Sequence, residues 1–159
     1  MTYVVDASVV IQWLAEEQGS ANAASLMRQP VCAPELLLAE CANALWKKVV
    51  RGEFSEEEAL GAVRAIGGAG ITFESTQSLA VDILALSLRL KHPAYDCVYL
   101  ALARKLDGLL VTADRRLLER CGQPDAADVA RHVRALDRIP GELQEPRTRK
   151  YRYRVRPAA

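Results

Sequence analysis

The sequence predicts an α/β domain built on a parallel β-sheet with helices against its faces. Three observations carry that prediction. Short apolar runs of strand character alternate with longer segments of helical spacing, and the links between them are short. The chain is 159 residues long and half hydrophobic, enough for one domain with a sizeable core but not for two. Residues 2–5 (TYVV) read as a short buried strand, followed by SVVIQWLA and, after Gly19, SANAASLMR, both with apolar residues at helical intervals. Pro30 and Pro34 bracket a second strand, VCA. A long helix is expected from about Glu35 to Val50, closed at Gly52. Another runs from Ser55, where SEEE is a helix-start signature, to the Gly67, Gly68, Gly70 cluster. ITFES is the third strand, LAVDILALSLRLK a helix, HPAY a break and DCVYLALARKL a helix. After Gly108 come GLLVT as a strand and ADRRLLER as a helix. Beyond Pro124, DAADVARHVRAL reads as a short helical turn feeding a final strand around HVRAL, in preference to one last helix.

Composition narrows the function classes. No stretch approaches the roughly 20 uncharged apolar residues of a membrane-spanning helix. The start, MTYVVDASVV, meets Asp6 early and has no basic leader, so the expected location is the cytoplasm. Cys32, Cys41, Cys97 and Cys121 lie far apart inside apolar runs and form no CxxC pair, which reads as small buried hydrophobes in a reducing compartment. The formal charge of +1 hides an asymmetry: six of the 21 basic residues, Arg147, Arg149, Lys150, Arg152, Arg154 and Arg156, lie after Pro146, where there is no acid. An acidic body therefore carries a basic tail.

The acids of that body fall at telling places. In a parallel sheet, residues just after strands meet along one edge, where α/β proteins put their sites. Asp6 directly follows the first strand and Asp114 comes two residues after GLLVT. The helix opening near Asp96 runs back about 11 residues, roughly 16 Å, and five strand residues climb roughly 16 Å again, which brings Asp114 level with Asp96. Glu40 lies about six residues into its helix, but helical side chains lean toward the N-terminus, so a glutamate reaches the same edge. Its neighbours Leu37, Leu38, Cys41, Ala42 and Leu45 are apolar, an expensive setting for an uncompensated acid. Taken singly, each aspartate has an ordinary role as a helix cap, and Glu40 has one as a partner of Lys47 or an arginine. Taken together, four carboxylates about 5 Å apart repel by about 3 kcal/mol per pair at an effective dielectric of 20, so they must splay, protonate or hold a cation. An all-oxygen set that holds one selects Mg²⁺ or Mn²⁺ over zinc, and the chemistry then expected is metal-assisted hydrolysis of a phosphodiester.

Other chemistries find less support. There is no GxxxxGK[ST] and no GxGxxG, since Gly67, Gly68 and Gly70 have the wrong spacing and precede a strand. A Ser or Cys nucleophile wants a histidine, but His92 stands before Pro93 in a break and His132 lies in the uncertain C-terminal region. D-A-S after the first strand lacks the second aspartate of a phosphate-transferring DxD loop.

The segments VVDASVVIQWL, PELLLAECANALWK and HPAYDCVYLALARKLDGLLVTADRRLL resemble, in that order and at compatible spacings from about Thr2 to Cys121, the PIN-domain ribonucleases, and in particular the VapC-type toxins of toxin-antitoxin pairs. The resemblance implies a three-layer domain over residues 1–137, with a central mostly parallel sheet flanked by helices. It implies an Mg²⁺- or Mn²⁺-dependent endoribonuclease whose acidic pocket corresponds here to Asp6, Glu40, Asp96 and Asp114. Ser8 and Thr112 match hydroxyl positions beside that pocket, and Asn43, one turn after Glu40, matches a polar position on the same side. It further implies a structured RNA substrate, a homodimer, and a cognate antitoxin lying in a groove near Trp13, Leu14, Leu36 and Leu37. The alternatives are a non-catalytic RNA- or protein-binding module and a DNA nuclease.

Residues 138–159 extend past the family unit. Tyr151, Tyr153 and Val155 alternate with Arg152, Arg154 and Arg156. Such a segment suits stacking on bases and pairing with phosphates, or docking as an edge strand. The expectation is that Arg147, Arg149, Lys150, Arg152, Arg154 and Arg156 add RNA affinity that the acidic body lacks.

Overall fold

The computed structural model describes residues 1–14 and 20–139. Along them run β1 (Tyr3–Val5), α1 (Ala7–Leu14), α2 (Ser20–Leu26), β2 (Val31–Pro34), α3 (Leu36–Val50), α4 (Glu56–Gly67) and β3 (Thr72–Glu74). They continue with α5 (Ala80–Leu90), α6 (Ala94–Lys105), β4 (Leu109–Thr112), α7 (Arg115–Cys121), α8 (Ala127–Ala130) and β5 (Val133–Ala135). The strands form one sheet in the order β3-β2-β1-β4-β5, and every pairing in it is parallel. The predicted strands and helices are found, including the short helical turn and final strand after Pro124, but the break expected at HPAY is shorter: Pro93 is the N-cap and α6 already includes Ala94 and Tyr95.

The sheet order explains the sequence pattern. Strands β1, β2 and β4 have neighbours on both sides and are covered on both faces, so they read as unbroken apolar runs. Val4, Val5, Leu110 and Val111 are completely buried. The chain steps outward from β1 to β2 to β3, then crosses back to place β4 on the other side of β1. Right-handed crossovers put the helices before and after such a reversal on opposite faces. Consistent with this, α2 and α3 both pack on α1 and α4 packs on α3, whereas α5 pairs with α6, which lies across β1, β2 and β4.

Local chemistry sets the boundaries. Ser55 caps α4 in a reciprocal box: its Oγ accepts from Glu58 N–H (3.2 Å) while its own N–H donates to Glu58 Oε2 (2.8 Å). α5 ends on Lys91, a left-handed residue with φ of 48°. That turn sends the chain back over the start of α6, where the His92 carbonyl accepts from Ser87 Oγ (2.6 Å). Gly108 opens β4 where the backbone presses on β1: a Cβ there would lie 2.7 Å from the Thr2 carbonyl oxygen. His132 ties the start of β5 to the same corner. Its Nδ1 is 3.0 Å from the Gly108 carbonyl and its Nε2 accepts from Arg131 Nε (3.1 Å), which puts the ring proton on Nδ1.

All four cysteines are free and buried, and burial pushes their thiols up to about 11 for Cys32, Cys97 and Cys121 and about 12 for Cys41. The face expected as a groove is more closed than the sequence suggests. Leu37 is fully buried, Trp13, Leu14 and Leu36 are half-buried on the core, and the Trp13 indole N–H donates to the Ala23 carbonyl (2.7 Å), joining α1 to α2. Exposed apolar residues lie elsewhere. On α3 and α4 they are Leu38, Trp46, Val50 and Leu60. On α5, Val81, Leu84 and Leu88 face outward while Leu86 and Leu90 face the core. No described helix is long and apolar enough to cross a membrane. The basic residues after Pro146 lie outside the described residues.

Candidate active site

The sheet order reverses between β1 and β4, and a parallel sheet opens a crevice at such a switch point, beyond the carboxyl ends of its strands. Asp6 follows β1 and Asp114 follows β4, so the pair flanks this crevice. α3 brings Glu40 to it and α6 brings Asp96. The four acids are electrostatically linked in a ring: Asp6 feels Asp114, Glu40 feels both Asp6 and Asp96, and Asp96 feels Asp114.

Asp6 is the most elaborately held. Oδ1 accepts from Ser8 Oγ (2.5 Å) and Val9 N–H (3.1 Å), and Oδ2 accepts from Thr112 Oγ1. Ser8 Oγ in turn accepts from Ala113 N–H (2.9 Å), and Thr112 Oγ1 from Asp114 N–H (2.9 Å). The turn after β1 is thus stitched to the turn after β4. Burial raises the Asp6 pKa; the Ser8, Thr112 and Val9 hydrogen bonds oppose that rise and the Asp114 charge adds to it.

Glu40 sits at the edge of the buried Leu37, Cys41, Leu45 stripe of α3, whereas Leu38 and Ala42 face outward, so its setting is half as apolar as the sequence suggests. Its Oε2 accepts from the Tyr99 hydroxyl (2.5 Å), and it makes no ion pair with Lys47 or any other described residue. Burial raises its pKa, the Tyr99 hydrogen bond lowers it, and the charges of Asp6 and Asp96 raise it again. Asp96 caps nothing. It lies in the first turn of α6 with Oδ2 2.8 Å from His92 Nε2, a contact close enough for an ion pair but without a directed hydrogen bond. Burial raises its pKa, partly offset by His92, with a further rise from Asp114. Asp114 is the N-cap of α7, where Oδ1 accepts from Arg116 N–H (2.8 Å) and Leu117 N–H (3.2 Å). Capping therefore describes Asp6 and Asp114 truly, but only in part. Asn43 is exposed and hydrogen-bonds to none of the four acids.

One pattern runs through these contacts. Protein donors engage a single oxygen on Glu40 and Asp114, leaving Oε1 and Oδ2 respectively with no hydrogen bond from described residues, and among those residues Asp96 has only the His92 contact, at Oδ2. No described Lys or Arg forms an ion pair with any of the four. Among the described residues no three His, Cys, Asp or Glu side chains close on one point as a ready cage. The acids splay, the first of the three outcomes open to them. The donor set still suits a hard divalent ion: it is all oxygen, no described Lys or Arg neutralises it, and Mg²⁺ takes only one or two carboxylates and completes its shell with water and substrate phosphate.

Two contacting side chains were not singled out from sequence. His92 reads as structural or exposed until the left-handed Lys91 turns it back over Asp96, four residues on. Tyr99 reads as core. Its place one helical turn after Asp96 is the signal that both face the same way, but the Glu40 partner lies 59 residues off.

A parallel sheet with acids gathered at its switch point defines the class: the chain belongs to the PIN domain family, whose model matches residues 3–123. More particularly, it is 34% identical over 124 residues to ribonuclease VapC3 of Pyrobaculum aerophilum, spanning 76% of this chain and 95% of that protein. It is likewise 34% identical over 125 residues to ribonuclease VapC1 of Mycobacterium tuberculosis, spanning 76% and 92%. The crystal structure of PAE2754 from Pyrobaculum aerophilum shares the fold, with a TM-score of 0.63 over 86% of this chain and 85% of that one at 22% identity.

Proposed function

We propose that the protein is an endoribonuclease that hydrolyses RNA phosphodiesters with Mg²⁺ or Mn²⁺ and serves as the toxin of a toxin-antitoxin pair in the cytoplasm. The observation that carries this reading is the set of four mutually repelling carboxylates at the sheet's switch point, none of them neutralised by a described Lys or Arg. The family and the ribonuclease VapC relatives support the substrate class. Asp6, Glu40, Asp96 and Asp114 would hold the ion. When bound, it supplies Lewis-acid stabilisation of charge on the phosphate and a more acidic water.

The chain's own residues preorganise that site. Ser8, Val9 N–H and Thr112 fix the Asp6 carboxylate, and the α7 amides fix Asp114 Oδ1 and leave Oδ2 without a hydrogen bond from a described residue. Ser8 and Thr112 also lock the two turns that carry these acids, so their spacing is set before substrate arrives.

Incubating antitoxin-free protein with RNA and with DNA, in EDTA and after Mg²⁺ or Mn²⁺ addition, tests the reading. RNA cleavage that EDTA stops and the ions restore is expected. Binding of RNA without product would indicate a non-catalytic module, and cleavage of DNA alone would reassign the substrate. An Asp6→Asn protein that cuts at the wild-type rate would remove the acids from the mechanism.

Two further parts of the reading concern partners. The outward aliphatic face of α5, Val81, Leu84 and Leu88, with exposed Tyr95 beyond its end, supports a homodimer, since a helix apolar on two opposite faces needs a second cover. Leu84→Glu should then halve the mass measured by light scattering. The composition of the basic tail supports RNA affinity: Arg147, Arg149, Lys150, Arg152, Arg154 and Arg156 follow Pro146 with no acid among them, and Tyr151 and Tyr153 are interleaved. Removing residues 147–159 should weaken RNA binding and flatten its salt dependence.

A further inference from the structure

Tyr99 is only 2% exposed, and a buried phenol needs a partner for its hydroxyl. An ordinary helix of this sheet face would offer a backbone carbonyl or water. Instead Tyr99 reaches from α6 to a carboxylate on α3, a helix of the other layer, and donates to Glu40 Oε2. No other hydrogen bond to the Glu40 carboxylate is made by a described residue. A glutamate has three side-chain torsions, and among the described residues no other hydrogen-bond donor sets which way its oxygens point. α6 thus delivers one acid, Asp96, and one turn later the donor that holds another.

We propose that Tyr99 is a positioning residue: by engaging Oε2 it turns Glu40 Oε1 into the crevice and restricts Glu40 to a single oxygen toward a divalent cation. This rests on the reading of the four acids as a cation site. Hydrogen-bond partners of metal-holding side chains contribute in this way, and their loss costs roughly 10–100-fold in metal affinity or activity.

Tyr99→Phe keeps the ring and deletes the donor. Mn²⁺ alone, titrated into RNA-free protein and followed by the paramagnetic resonance of the free ion, should bind about 10-fold more weakly to the variant. Cleavage should recover toward the wild-type kcat at saturating Mn²⁺, so the defect falls on the metal requirement and not on the maximal rate. If Tyr99 has a structural role alone, Tyr99→Phe should change at most the melting temperature and leave the Mn²⁺ titration unmoved. Glu40→Gln and Asp6→Asn separate the two layers of inference. If both lose Mn²⁺ binding while Tyr99→Phe stays within about twofold of wild type, the role of Tyr99 is wrong and the cation site stands. If all three bind as wild type does, the cation site itself is wrong. Should Tyr99→Phe not fold, 3-fluorotyrosine placed at position 99 keeps the phenol. Its fluorine resonance must move on Mg²⁺ titration with the midpoint of binding, and a resonance that stays still overturns the proposal.

Discussion

Glu40 and Asp6 are held so differently that the same amide substitution should act on them in different ways. Glu40→Gln keeps a carbonyl oxygen for the Tyr99 phenol and removes a charge that burial and two neighbouring acids disfavour. Asp6 has hydrogen bonds on both oxygens, so the new amide N–H of Asp6→Asn meets a hydroxyl already committed to donating. In EDTA, Glu40→Gln should therefore melt higher than wild type by about 2–6 °C, the equivalent of about 1 kcal/mol. Asp6→Asn should stay near wild type, and both should cut RNA on the order of 100-fold more slowly, a barrier change of about 3 kcal/mol. Calorimetry beside a cleavage assay reads both effects. Thr112 is fully buried and its hydroxyl serves two partners, donating to Asp6 and accepting from Asp114 N–H. Thr112→Val, equal in shape, strands both and should cost about 1–3 kcal/mol in urea denaturation.

At the scale of elements, the junction between α5 and α6 carries its own cost. Lys91 adopts the left-handed conformation, which a Cβ disfavours by roughly 1–2 kcal/mol and glycine tolerates. Lys91→Gly should thus raise stability, less the entropy that glycine loses, for a net gain of about 0.5–1 kcal/mol in denaturant midpoint. The elements themselves were legible because their ends carry chemistry: Ser55 with Glu58 opens α4, Gly108 opens β4, and Pro30 precedes β2. Faces were harder. Spacing places Leu38 and Ala42 beside Glu40, but which of them the core takes depends on how α3 is rotated against α1 and β2. The half-closed surface at Trp13 and Leu36 is likewise set by helices packing on one another, which no single helix encodes. The acids could be placed at one edge because strand direction alone determines it, whereas Tyr99 and His92 reach them through tertiary contacts.

For the molecule as a whole, the raised pKa values of Asp6, Glu40 and Asp96 fix the sign of its pH dependence. Below the ordinary values of 3.8 for aspartate and 4.5 for glutamate, folded and unfolded chains are both protonated there and no penalty exists. Above them the unfolded chain ionises first, so stability falls as pH rises and the loss is complete once the raised values are passed. Glu53, Glu58, Asp125 and Asp128, whose partners lower their pKa, act with the opposite sign and only at lower pH. The melting temperature in EDTA should therefore decline as pH rises above the ordinary carboxylate values of 3.8 and 4.5. Mn²⁺ at about 100 times its Kd should restore about 2.7 kcal/mol at neutral pH and much less near pH 4, where protons compete for the same oxygens. An increment independent of pH would place the ion elsewhere.

The earliest of the described strands is the central one, and the partner that completes its crevice comes much later in the chain. β4 brings Thr112 and Asp114 to β1 only after more than a hundred intervening residues have been synthesised, at about 5–20 residues per second. Until then Asp6 has neither its Thr112 donor nor its Asp114 neighbour. In the proposed ribonuclease the crevice is complete only once β4 has joined β1, so a chain interrupted before Thr112 lacks two of the groups that shape the site, Thr112 and Asp114.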